Sequence, residues 1–145
     1  MKTFAATSVI RAPAHVIWSI LMDSPRWTEW DPSLDRIEGK IAAGEKVKVF
    51  SKLSPGRAFP VRVARLDPDR GMTWRGGMPL PFLFKGERTF DLVPTADGAV
   101  EFRLKEVYTG LMSPMIERSL PDMQPAFEGF VAGLKQRAEA AASQN

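Results

Sequence analysis

Hydrophobic positions follow two different rhythms along the chain. Thr3 to Ile10 is rich in β-branched residues and breaks off at Arg11-Ala12-Pro13, which reads as a first strand. Pro13 can open a helix, and Val16, Ile17, Ile20 and Leu21 then recur at helical spacing until Pro25. Pro25 to about Asp31 reads as a second short helix with Ser24 as its N-cap. From Leu34 to Gly110 the period changes to two. Six strands are expected there, at roughly 35–41, 45–53, 58–67, 71–78, 84–95 and 99–110. The links between them carry Gly44, Pro55-Gly56, Pro68 to Gly71, Pro79-Leu80-Pro81 and Ala96-Asp97-Gly98. Pro60 inside the third of these strands points to an edge or a bulge.

After Gly110 comes an irregular, methionine-bearing link, and then a helix from about Asp122 to Ala142. Met123, Phe127, Phe130, Leu134 and Ala138 form one stripe on it at steps of three and four. Twenty helical residues span roughly 30 Å. A sheet with one apolar face must cover that face, and no other element is large enough to do so. The expected architecture is α+β: a curved seven-stranded antiparallel sheet wrapped around a long C-terminal helix, with two short helices between strands one and two. All 145 residues are read as one domain.

Composition removes much chemistry. Apolar residues make up 44% and charged residues 26%, which suits a chain that folds without help from metals or disulfides. There is no cysteine, hence no thiolate nucleophile, disulfide or cysteine metal site, and His15 is the only histidine. At the start of the first helix it reads as a surface residue rather than a catalytic base. No cofactor or metal is expected. The start has no signal-like apolar stretch and no run is long enough to span a bilayer, so a cytoplasmic location is expected. A formal charge of +3 does not argue for nucleic acid. Lys40, Lys46, Lys48, Lys52, Arg57, Arg62 and Arg65 do gather in one third of the chain, as a solvated face or a contact for an acidic partner or anionic lipid. Transient contact with a membrane surface is therefore compatible with this sequence.

The element order, the stretch "SVIRAPAHVIWSILMDSPRWTEWDPSL" and the closing helix with Phe127 and Phe130 resemble the START-like, or Bet v 1-like, superfamily of helix-grip proteins. It includes polyketide cyclase/dehydrase and lipid-transport proteins. The matching features are Ala12-Pro13 followed by Val16, Ile17 and Trp18, and Asp23 followed by Trp27 and Trp30. The resemblance implies a cavity between sheet and long helix that takes in a lipid, sterol, polyketide or other apolar molecule. It also implies three candidate functions: a carrier or binder of an apolar ligand, a cyclase, dehydratase or hydrolase using the same cavity, and a protein-interaction module.

The last hairpin indicates which side chains face such a cavity. With Gly98 in the left-handed position of a three-residue loop, paired residue numbers sum to 194. Leu92 then faces Phe102, Phe90 faces Leu104 and Arg88 faces Glu106. One face carries Phe84, Phe90, Leu92, Val100, Phe102, Leu104 and Tyr108, and the other is charged, so the first points inward. Arg88 and Glu106 share that inward face and are expected to pair. They are either a structural ion pair or the polar spot of an apolar pocket, where Arg88 donates to a ligand oxygen and Glu106 accepts or exchanges a proton. The Tyr108 hydroxyl can join either of them. Further candidates for ligand contact are Trp74, Met78, Phe82, Met123, Phe127 and Phe130. Methionine fills cores as readily as it lines permissive pockets. "RGGMPLP" lacks the spacing of a phosphate loop and reads as a strand end near the pocket entrance. Trp27 and Trp30, three apart, read as a plug at one end of the grip, one of them at the cavity rim.

Overall fold

A computed structural model describes residues 1–144. Strand β1 (Lys2–Ile10) leads into helix α1 (Ala14–Met22), whose first turn closes on the Pro13 carbonyl, accepting N–H groups of Val16 (3.1 Å) and Ile17 (3.3 Å). A 3₁₀ helix follows at Ser24–Glu29. Asp23, not Ser24, is its N-cap residue, and it makes no side-chain cap; Ser24 lies inside the turn and is buried. Pro25 needs no hydrogen-bonded N–H there, so the turn forms without a cap.

The sheet comprises β1, β2 (Leu34–Glu38), β3 (Lys46–Ser51), β4 (Ala58–Asp67), β5 (Gly71–Gly77), β6 (Lys85–Pro94) and β7 (Val100–Thr109), in the order β1-β7-β6-β5-β4-β3-β2. All neighbours are antiparallel, and the sheet curls into a half-barrel. Pro60 pairs with Lys48 of β3 but precedes Arg62, the first residue of β4 to pair with β5. The missing N–H therefore sits where β4 and β5 separate, while the bulge comes later, between Val63 and Arg65. The β6–β7 register is the expected one: Arg88 faces Glu106, Phe90 faces Leu104 and Leu92 faces Phe102. The link after Gly110 contains a short helix α2 (Ser113–Glu117), which its five residues were too few to reveal by periodicity.

Helix α3 (Gln124–Ser143) buries Phe127, Phe130, Leu134 and Ala138 against the concave face of the sheet. Its side chains also hold the edge of the sheet. Gln124 accepts the Ala5 N–H (3.4 Å) and donates to the Ala5 carbonyl (2.7 Å), Lys135 donates to the Val9 carbonyl (2.6 Å), and Glu139 accepts the Arg11 N–H (2.8 Å).

The segment Trp30-Asp31-Pro32 crosses α3 closely, because α3 has Gly129 and Gly133 at that crossing. A Cβ on Gly133 would stand 1.8 Å from the Trp30 carbonyl oxygen, and one on Gly129 would stand 3.1 Å from Pro32 Cγ. Close approach delivers the tryptophans to the core. Trp27 stacks on Trp74 (5.7 Å between centroids), Trp30 meets Phe130 edge-on (4.9 Å), and the Trp27 indole donates to the Leu21 carbonyl (3.1 Å). Both are buried, as expected of a plug.

Candidate functional site

The core fills only one end of the half-barrel. At the other end, where β4 and β5 part, a cavity of about 500 Å³ lies between the sheet and α3. Its walls come from the end of β3, the start of β4, the end of β5, the start of β6, the end of β7, the α2–α3 link and the first turns of α3. They are mostly apolar: Trp27, Val61, Trp74, Phe84, Leu104, Met123, Phe127 and Phe130 all contribute.

Arg88, Glu106, Tyr108 and Asp31 are the four enclosed titratable side chains of the cavity wall, which also carries four serines and the exposed Arg57. Arg88 donates from Nε (3.1 Å) and from a terminal nitrogen (2.6 Å) to the same oxygen of Glu106, Oε2. Both side chains are largely enclosed, at 21% and 13% exposure, and the guanidinium also lies over the Phe127 ring (4.8 Å to its centroid). Burial opposes the charge on Arg88, yet Glu106 beside it more than compensates and raises the arginine pKa. Tyr108 faces Gly86 across the ladder, with its ring close over the glycine and stacked on Phe84 (5.6 Å). Burial first, and the Glu106 charge second, push its hydroxyl well above the ordinary tyrosine range, so the phenol stays protonated.

Asp31 is the fourth. It lines the cavity and is buried, its Oδ1 accepting the backbone N–H (3.1 Å) and hydroxyl (2.9 Å) of Ser33. Burial raises its carboxyl pKa, with Ser33, Arg88 and Lys52 acting in the opposite direction. Alternation along strands could not reveal Asp31, which sits in the link that α3 holds down. The signal available was its place between a buried tryptophan and a proline.

Of the candidates named from the sequence, Trp74, Met78, Phe84, Arg88, Leu104, Glu106, Tyr108, Met123, Phe127 and Phe130 lie around this cavity. Three do not. Phe90 and Phe102 point inward but have no exposed surface, being packed at the filled end against Trp74 and Phe130. Phe82 stands on the β5–β6 loop, 62% exposed. His15 is exposed on α1, and so are all seven clustered cations from Lys40 to Arg65, of which Arg57 alone also lines the cavity. Among the described residues no group of three or more His, Cys, Asp or Glu could hold a metal ion. Among the same residues no helix is long and apolar enough to cross a membrane.

The family described as polyketide cyclase / dehydrase and lipid transport matches residues 1–139. The chain belongs to this family. No curated protein sequence matches it. Solved structures do. The Zhui aromatase/cyclase from Streptomyces sp. R1128 is 16% identical, with a TM-score of 0.71 over 95% of this chain and 93% of that one. Norcoclaurine synthase from Thalictrum flavum is 15% identical, with a TM-score of 0.67 over 94% and 85%. Aha1 from Colwellia psychrerythraea, solved as a dimer, is 18% identical, with a TM-score of 0.69 over 96% and 97%. At these identities the likeness shows the helix-grip fold alone; proteins with such different names share a scaffold, and function must be argued from the site.

Proposed function

We propose that this member of the polyketide cyclase/dehydrase and lipid-transport family binds a hydrophobic or amphipathic small molecule in the cavity between β-sheet and α3. The observation that carries the reading is a cavity of about 500 Å³ with aromatic and aliphatic walls and few charged groups, the Arg88–Glu106 pair among them, the size and polarity of a small-molecule site. Arg88 and Glu106 already neutralise each other, and deeper in the wall Asp31 adds a further carboxyl, while the remaining cation, Arg57, is exposed. A ligand carboxylate beside that pair would bring a surplus negative charge into a mostly apolar space. We therefore read the ligand's polar group as a carbonyl accepting from Arg88 or a hydroxyl donating to Glu106, with the rest of the molecule lying on Trp74, Phe84 and Phe127.

The test uses displacement of a fluorescent apolar probe, supported by native mass spectrometry of protein purified from its own host. Ala126→Phe places a ring into the cavity from α3. It should abolish probe binding while circular dichroism shows a folded chain. Equal probe binding by Ala126→Phe and the unmodified protein would rule out this cavity as the site. Arg88→Met should weaken a ketonic ligand by roughly tenfold, the worth of one charged hydrogen bond.

The second reading is an enzyme of the cyclase, dehydratase or hydrolase kind. It is favoured by the meeting of Asp31, Glu106 and Tyr108 in one cavity. Tyr108 holds its proton firmly and serves as a hydrogen-bonding group rather than a base, so proton abstraction would fall to Glu106 or Asp31. Turnover that survives both Glu106→Gln and Asp31→Asn would exclude that chemistry.

A further inference from the structure

Five of the eight exposed large hydrophobic residues lie within two short stretches, at positions 78–82 and 111–115. Leu80 is 53% exposed, Phe82 62%, Leu111 78% and Met115 58%, with Met78 beside them at the cavity lip. We propose that these two loops form one patch that seats on the surface of an anionic lipid bilayer.

The loops are built together. The Leu111 N–H donates to the Phe82 carbonyl (3.0 Å) and the Met112 N–H to that of Leu83 (2.8 Å). Within the first loop, Leu83 N–H donates to the Leu80 carbonyl (3.0 Å), and Pro79 and Pro81 stiffen the chain on either side of Leu80. Gly110 has φ 120°, and a Cβ there would stand 2.5 Å from the Leu83 carbonyl oxygen, so the crossing of the loops requires glycine. A frame fixed in this way holds apolar side chains in water at a permanent free-energy cost, which contact with an apolar phase recovers.

Charge selects the phase. Lys52, Arg57 and Arg118 flank the mouth, are exposed, and form no ion pair among the described residues. The nearby acids are engaged. Glu87 accepts from Arg75 (2.7 Å), Glu117 accepts the Ser113 hydroxyl (2.6 Å) and faces the N-terminal amine (3.6 Å), and Asp122 accepts the Gln124 N–H (3.1 Å). Open cations around an apolar tip repel a second copy of the same patch and suit anionic headgroups. A surface of this kind lies on a membrane without spanning it. Because Met78 belongs to both patch and cavity wall, the seated protein would present its cavity mouth to the bilayer. The surface argument itself does not depend on what the cavity holds.

The experiment is co-sedimentation of the full chain with vesicles of phosphatidylcholine alone and with about one third phosphatidylglycerol. Binding is expected to the anionic vesicles, weakening with added salt. Phe82→Asp combined with Leu111→Asp should reduce it at least tenfold while leaving the melting temperature and cavity-probe binding unchanged, since neither side chain lines the cavity. Arg57→Glu with Arg118→Glu should remove the preference for anionic vesicles. No binding to anionic vesicles, or equal binding by the Phe82/Leu111 variant, overturns the proposal. So does sedimentation showing that the unmodified protein is a dimer which those two substitutions dissociate, because the patch would then be occupied by protein. Loss of probe binding in Ala126→Phe with vesicle binding retained would separate the two proposals.

Discussion

Replacing Gly133 by alanine should destabilise the protein even though alanine is the better helix former. Intrinsic propensity favours alanine by about 1 kcal/mol. The added Cβ, however, would stand 1.8 Å from the Trp30 oxygen and 2.9 Å from its carbonyl carbon. Ordinary carbon–oxygen contact is roughly 3.3 Å, so the Trp30 carbonyl must retreat by about 1.5 Å. That backbone cannot move alone. Trp30 packs edge-on against Phe130 and beside Trp27, and Asp31 and Pro32 follow on the same strap. Overpacking of this kind costs about 1–3 kcal/mol and more where backbone must shift, and the aromatic contact contributes about another 1 kcal/mol. The net loss should be about 2 kcal/mol, a fall of roughly 4–8 °C in melting temperature for a domain of this size. Gly129→Ala is the control: its Cβ meets only Pro32 ring carbons at 3.1 and 3.7 Å, which can pucker aside, so it should stay within about 1 kcal/mol of the unmodified protein. Scanning calorimetry of the two variants decides. A Gly133→Ala protein as stable as Gly129→Ala would refute the claim that this glycine exists to admit the strap.

Arg88→Met leaves Glu106 without its partner in a mostly apolar cavity and should cost about 2–3 kcal/mol, less than the loss of a fully buried pair because water reaches both groups. Arg88→Met with Glu106→Gln should recover at least half of that, as measured by urea denaturation; strictly additive losses would mean the pair is not coupled. For Asp31, a carboxyl pKa raised by folding means that the native state binds a proton more readily than the unfolded chain does, so the group's contribution to stability falls as pH rises through that window. Asp31→Asn keeps an oxygen for Ser33 and removes the charge. It should therefore melt higher than the unmodified protein at neutral pH, with the gap closing in acid. A gap independent of pH would contradict the buried, desolvated carboxyl.

The parts of the site that could be read in advance are those governed by local rules. A glycine turn at Ala96-Asp97-Gly98 sets the β6–β7 register, and alternation does the rest, so Arg88 and Glu106 emerge as inward neighbours from sequence alone. Alternation states which face a side chain takes but not how deep it lies along the strand. Phe90 and Phe102 have the right face and the wrong end, where α3 leaves no space. Asp31 was invisible for a different reason: its burial depends on two glycines about a hundred residues later, on a helix whose polar and apolar pattern says nothing about how close another chain segment can come. The exposure of Phe82 likewise follows from a loop–loop contact that no periodicity encodes.

The bonds from Gln124, Lys135 and Glu139 to the outer backbone of β1 have a consequence for how these molecules meet one another. An open strand edge is a template on which a second chain can continue the sheet, the first step in fibril growth and in exchange of strands between copies. Here, donors and acceptors that such an intruder would need, at Ala5, Val9 and Arg11, are already taken by side chains of the last helix. The helix thus acts as a selvedge for the sheet, and a chain truncated before Gln124 would lose its core and uncover an adhesive edge at the same time.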